Sequence, residues 1–162
     1  MPIGKKAPLS GEQALAKLRD LCNRGEYCTW ELKEKMRKWG VGSDTSGKII
    51  SLLEKDRLVD DSRYAEVIAH SKNTYSHWGK YKIILFLKAK HISGADIKNA
   101  LESIREEDYI KSLRQVIVTK KRQLGEEAST YEGRNKILRY AASKGFEPEL
   151  IISVMKENQE ED

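Results

Sequence analysis

Cysteine, proline and phenylalanine are scarce, with 2, 3 and 2 copies in 162 residues. Cys22 and Cys28 have neither a CxxC spacing nor a histidine beside them. They therefore make no disulfide framework or thiolate-rich metal centre, and read as reduced residues packed like small hydrophobes. No apolar run approaches the ~20 residues that a membrane-crossing helix needs. The opening stretch Met1-Pro2-Ile3-Gly4-Lys5-Lys6 lacks the apolar segment of a signal peptide, so a cytoplasmic protein with no membrane partner is expected. Catalytic signatures are missing as well: no glycine-rich phosphate loop, no nucleophile elbow, no helix with paired zinc-binding histidines. The sequence therefore predicts no enzyme, no cofactor and no metal. No alternating apolar–polar run bounded by turn residues occurs, so strands are not expected either.

What the chain has is charge and helical periodicity, repeated three times. Charged residues make up 34% of it, a composition suited to amphipathic helices with wet outer faces. Leu32, Ile83 and Ile137 occupy equivalent places, and each is followed at the same interval by an apolar residue, Val41, Ile92 or Phe146. A further helix then follows in each copy, with stripes Ile49–Leu52–Leu53, Ile97–Ala100–Leu101 and Ile151–Val154–Met155 at the i, i+3, i+4 spacing of one buried face. A period near fifty residues indicates a helical array that presents a long surface to a partner. The expected fold is all-α: tandem three-helix, helix-turn-helix-like repeats in an elongated curved array. The expected divisions are a flexible leader at 1–9, repeats at 10–58, 59–105 and 106–156, and an acidic tail at 157–162.

Local signals place the helix ends. Ser10 and Gln13 form a capping-box pair, and Ser93 with Asp96 forms a second. Gly25 is expected to end the first helix in the left-handed conformation, and Gly40 to stop the second. Thr29 is expected to cap the second helix and Asp44 or Ser46 the third. Pro148 suits a first helical turn, where no backbone N–H is required. Asp60-Asp61 reads as a helix cap beside Arg63 rather than a metal site, since a carboxylate at a helix N-terminus meets the positive end of the dipole.

Charge is unevenly spread. Residues 62–101 carry seven basic and two acidic residues, a surplus equal to the whole net charge of +5. Such a surplus creates a local field that attracts a polyanion or an acidic protein face. Within it Tyr75, Trp78 and Tyr81 interleave with Lys72, Lys80, Lys82, Lys88 and Lys90. Aromatics that stack on bases and lysines that track phosphates furnish single-strand sites in this way. The same aromatics could instead pack between repeats, and both readings stay open. His70, His77 and His91 share this segment at spacings of 7 and 14, which alone is too little for a metal site, and they read as solvated helix residues. Leu87 to Leu101 has a helix-turn-helix outline, yet Asp96 would repel phosphate and only Lys98 and Asn99 remain to read bases, which favours packing.

Four segments taken in order resemble the RecX family of recombination regulators. Val59-Asp60-Asp61-Ser62-Arg63-Tyr64-Ala65 is similar to the family's hydrophobic, Asp-Asp, Arg, aromatic, Ala signature, and Gly79-Lys80-Tyr81-Lys82-Ile83 follows at the family's interval. Upstream, Arg24-Gly25-Glu26-Tyr27-Cys28-Thr29-Trp30-Glu31-Leu32 resembles the element that ends in Glu-Leu. Downstream, Lys144-Gly145-Phe146 with Leu150, Ile151 and Met155 resembles the closing helix. The chain departs at Leu85 to Ile92, where the family's Glu and Gly are absent. The resemblance covers residues 14–156. It implies a modular helical protein, without chemistry of its own, that binds RecA or the RecA–DNA filament and restrains ATP hydrolysis and strand exchange. Together with the charge pattern it marks Arg24, Arg63, Lys72, Lys80, Lys82, Lys88 and Lys90 as candidate contacts to RecA or DNA, single- or double-stranded. Tyr75, Trp78 and Tyr81 are the candidate stacking or inter-repeat residues. A helical DNA-binding module that acts without RecA is the alternative, and a monomer is expected in either case.

Overall fold

Apolar stripes of helical period leave the chain one way to bury its side chains, helix against helix. The computed structural model describes residues 6–160, and among these are nine α-helices and no strand. They are α1 (Gly11–Arg24), α2 (Thr29–Lys38), α3 (Ser43–Lys55), α4 (Asp61–Thr74), α5 (Lys80–Ala89), α6 (Gly94–Glu102), α7 (Glu106–Leu124), α8 (Tyr131–Ser143) and α9 (Pro148–Glu160). A 3-10 turn, Gly125–Ser129, follows α7. The all-α class is as expected. The first five residues of the expected leader and the last two of the acidic tail lie outside the described residues. The end of the leader is tied down, because the Leu9 N–H donates to the Trp39 carbonyl at 2.9 Å.

Several caps follow the sequence and several do not. Ser10 and Gln13 exchange both bonds of the capping box at the start of α1, and the Ser93 hydroxyl accepts from the Asp96 N–H at 3.2 Å. Gly25 is not left-handed: its φ of −172° is extended backbone that any residue adopts. Thr29 is the first residue of α2 rather than its cap, and its N–H donates to Asp61 Oδ1 at 2.8 Å. Asp60 meanwhile accepts from the Arg63 N–H at 3.1 Å. The two aspartates thus cap two different helices, each with an ionised acceptor at the positive end of a dipole. For α3 the N-cap is Gly42, upstream of both Asp44 and Ser46.

Left-handed backbone occurs where the repeat alignment puts its turns. Gly40 (φ 77°) precedes Val41, Gly145 (φ 101°) precedes Phe146, and His91 (φ 58°) precedes Ile92. His91 therefore occupies a glycine position of the repeat and carries a Cβ where it costs roughly 1–2 kcal/mol. Its ring stacks on Trp30, with centroids 5.2 Å apart and planes 13° from parallel, which offsets part of that cost.

The chain divides into two compact units. Among the described residues one comprises residues 6–64 with Lys90–Ile92; the other comprises Ala65–Ala89 and residues 93–160. The first is built on Ala14, Leu18, Leu32, Met36, Ile49, Ile50, Leu53 and Val59. Leu52, expected in that stripe, is 45% exposed, and Ile50 is buried in its place. Cys28 is buried and its thiol is pushed up to about 11, chiefly by burial, so it is a packed and unreactive residue. In the second unit Ile83, Leu87 and Ile97 are buried as expected, whereas Leu101 and Met155 are only half-buried. There α7, α8 and α9 pack pairwise around Leu113, Ile117, Ile137, Phe146 and Ile151.

Candidate nucleic-acid and protein interface

The second unit gathers lysines around one aromatic ring. Trp78 follows α4, with its N–H donating to the Lys72 carbonyl at 3.0 Å and its carbonyl accepting from the Asn73 amide at 3.0 Å. These bonds fix the half-buried indole beside α4 and α5. Lys72 from α4 and Lys82 from α5 place their ammonium groups 4.7 and 4.6 Å from its centroid. Phe86 meets the indole edge-on at 5.8 Å and lies 5.1 Å from Lys72 Nζ. Cation–π contacts of this kind contribute about 0.5–2 kcal/mol each and hold flexible lysines in place.

Two glycines bring the turn before α5 against the turn before α9. The Gly79 N–H donates to the Lys144 carbonyl at 2.8 Å and the Tyr81 N–H to the Gly145 carbonyl at 3.0 Å. A Cβ on Gly79 would collide with the Gly145 and Phe146 backbone, and one on Gly145 would collide with Lys82. This approach adds Lys144 to the cluster. Its pKa is lowered, first by burial and then by the positive charge of Lys82. Tyr109 of α7 braces the junction: its oxygen accepts from the Lys80 N–H at 2.9 Å, its hydroxyl donates to the Glu147 carboxylate at 3.0 Å, and its ring tilts against Phe146. Burial, reinforced by Glu147, holds that hydroxyl above the ordinary phenol range, so Tyr109 stays a neutral brace. The Lys80 ammonium sits 4.9 Å from the Tyr109 ring.

No carboxylate of the described residues pairs with Lys72, Lys80, Lys82 or Lys144. Cations gathered without a counter-charge repel one another, and an arriving anion relieves that repulsion.

The other expected residues are placed differently. Lys88 is exposed on α5, and Tyr75 and Tyr81 are 81% and 56% exposed, open to a stacking partner. Arg24, Arg63 and Lys90 belong to the first unit. Arg24 pairs with Asp20. Arg63 is fully engaged in structure, bonding Glu26 at 2.8 Å and the carbonyls of Arg57 and Leu58 at 3.0 and 3.4 Å. Lys90 pairs with Glu31 at 3.4 Å and lies over Trp30. The histidines are spent on separate partners: His70 on Ser103, His77 on Ser112 and His91 on Trp30. Among the described residues no group of three or more His, Cys, Asp or Glu side chains is arranged to hold a metal. No described helix is long and apolar enough to cross a membrane.

The segments that build this cluster match known domains. Residues 60–101 match the model of the RecX second three-helix domain, and residues 106–155 that of the third. The chain belongs to the RecX family. A regulatory protein RecX from Clostridium acetobutylicum is 30% identical over 130 residues, covering 78% of this chain and 60% of that protein. The regulatory protein RecX of Leuconostoc mesenteroides is 26% identical over 135 residues, covering 81% of this chain and 50% of that protein. The chain thus spans half to three-fifths of the length of these two relatives. The crystal structure of RecX from Lactobacillus salivarius superposes with a TM-score of 0.81 at 20% identity, over 91% of this chain and 95% of that one, which shows a shared fold. In this structure Asp60 and Asp61 cap helices and Arg63 bonds Glu26.

Proposed function

We propose that this chain binds RecA or the RecA–DNA filament and restrains its ATP hydrolysis and strand exchange, with no catalysis, cofactor or metal of its own, as a monomer in the cytoplasm. The observation that carries this reading is the pair Lys72 and Lys82 over Trp78, with Lys144 close enough to feel the charge of Lys82 and Lys80 over Tyr109; these lysines span both matched domains and lack an acidic partner among the described residues. A nucleoprotein filament is a dense polyanion, and such a cluster supplies attraction to it.

The test is a titration into RecA hydrolysing ATP on single-stranded DNA. Stoichiometric protein should lower that hydrolysis while hydrolysing nothing alone. Unchanged hydrolysis together with no detectable RecA complex would end the reading. The variant pair Lys72→Gln and Lys82→Gln, which preserves helix propensity, should weaken filament binding. If both lysines meet phosphates, the log–log salt dependence of binding to bare single-stranded DNA should flatten by about 1.4, at ~0.7 per contact.

A second reading, a DNA-binding helical module that acts without RecA, is favoured by the exposure of Tyr75 and Tyr81 beside these lysines. It predicts binding to bare single-stranded DNA that falls steeply with salt and leaves RecA hydrolysis unaffected.

A further inference from the structure

The outer face of α8 and α9 carries a second surface, unlike the first in chemistry. Leu138, Ile152 and Met155 floor a groove of about 470 Å3, a volume in the range of ligand clefts. Ile152 is 42% exposed, although it adjoins the fully buried Ile151. Arg134 and Lys156 stand beside this floor, and Arg139 lines the adjoining cleft that shares Leu138. The Arg134 guanidinium gives one N–H to the Ser129 carbonyl at 3.1 Å and keeps the rest of its fork for a ligand. Arg139 and Lys156 have no ion pair among the described residues; no residue lining the groove itself is acidic, and in the adjoining cleft Glu132 is outnumbered by Lys136 and Arg139.

This combination selects one class of occupant. Carboxylates or phosphates would satisfy the rim. The floor decides between them, because it is aliphatic and offers no aromatic platform for a base, whereas a single-strand site stacks bases on aromatic rings. Aliphatic floors flanked by cations fit an amphipathic segment that places apolar side chains inward and acidic ones outward. Overall charge does not advertise the site, since residues 102–162 carry eleven basic and thirteen acidic residues. Helix geometry brings two cations together here: residues 134, 135 and 138 of α8 line one groove with residues 152, 155 and 156 of α9, and Arg139 lies in the adjoining cleft.

We propose that the α8–α9 groove docks a short acidic amphipathic segment of a partner protein, with one or two apolar side chains on Leu138, Ile152 and Met155 and carboxylates against Arg134, Arg139 and Lys156. The inference goes beyond the regulatory reading and stands or falls without RecA, since its probe is a peptide.

The experiment is methyl NMR on the full chain, titrated with a peptide of about twelve residues that carries Leu and Phe four apart among Asp and Glu. Saturable shifts at the Leu138, Ile152 and Met155 methyls are expected, with a Kd of roughly 10–100 µM at low salt. Replacing the Leu and Phe of the peptide by Ser should abolish the shifts. The exposed substitutions Ile152→Ser and Arg139→Gln should each weaken binding about tenfold with helicity unchanged. Four outcomes overturn the proposal. These are no methyl shift at about 1 mM peptide, equal affinity for both variants, an oligothymidylate shifting the same methyls more strongly, and shifts that appear with protein concentration alone, which would assign the groove to a second copy of the chain.

Discussion

Gly79→Ala is expected to cost about 3 kcal/mol or more in urea unfolding, although it adds a single methyl group. The added Cβ meets the Gly145 carbonyl carbon and oxygen and the Phe146 nitrogen, all well inside van der Waals contact. None of these atoms is the end of a flexible side chain, so the two turns must separate. Separation breaks the Gly79-to-Lys144 and Tyr81-to-Gly145 hydrogen bonds together. Gly94→Ala is the matched control, because nothing lies within 4 Å of its new Cβ and the position is in the first turn of α6. Alanine there removes unfolded-state entropy and should be neutral or stabilising by up to about 1 kcal/mol. Equal small effects at both glycines would show that the close approach does not exist in solution.

Phe146→Ala should be the costliest core truncation, at roughly 3–5 kcal/mol. Its side chain is 1% exposed and is the largest of the fully buried set, with the Tyr109 ring at 5.2 Å. Its removal leaves a cavity beneath the brace that joins Tyr109 to Lys80 and Glu147. The loss should therefore appear in stability and in the lysine cluster at once: salt-dependent binding to single-stranded DNA should weaken in proportion to the population of the opened junction. A loss below about 1 kcal/mol would contradict the burial seen for this ring.

The elements of this fold were legible because local signals agree with tertiary packing. The capping atoms of Ser10 and Ser93 lie three residues from their partners, and the stripe of Ile83, Leu87 and Ile97 needs only helical period. The errors came where two choices differ by one residue on a helix surface. Ile49, Ile50 and Leu53 form as compact a face as Ile49, Leu52 and Leu53, and only the packing of α1 and α2 against α3 selects the first. The partner of Asp61 was hidden for another reason: its carboxylate accepts from Thr29, 32 residues earlier, a pairing that no local spacing encodes.

The candidate site was half legible. Charge counting found Lys72, Lys80 and Lys82 because a surplus in one segment is visible without coordinates. Lys144 and Glu147 were missed because their turn lies some 65 residues from that of Gly79, Tyr109 because it reaches Lys80 from 29 residues away, and Phe86 because charge counting does not register an apolar ring. The one signal that could have found Lys144 was its place beside Gly145 in the closing motif. The α8–α9 groove gave no signal at all, since its cations are diluted by acidic neighbours on other helix faces.

Trp78 also makes the second unit its own optical instrument. Indole emission responds to nearby charge, and this indole has an ammonium group within 5 Å from each of two helices. The other two tryptophans, Trp30 and Trp39, belong to the first unit. With both replaced by Phe, the single remaining fluorophore would track the lysines directly, and an anion that draws Lys72 and Lys82 off the ring would announce itself as a change in intensity without any label attached.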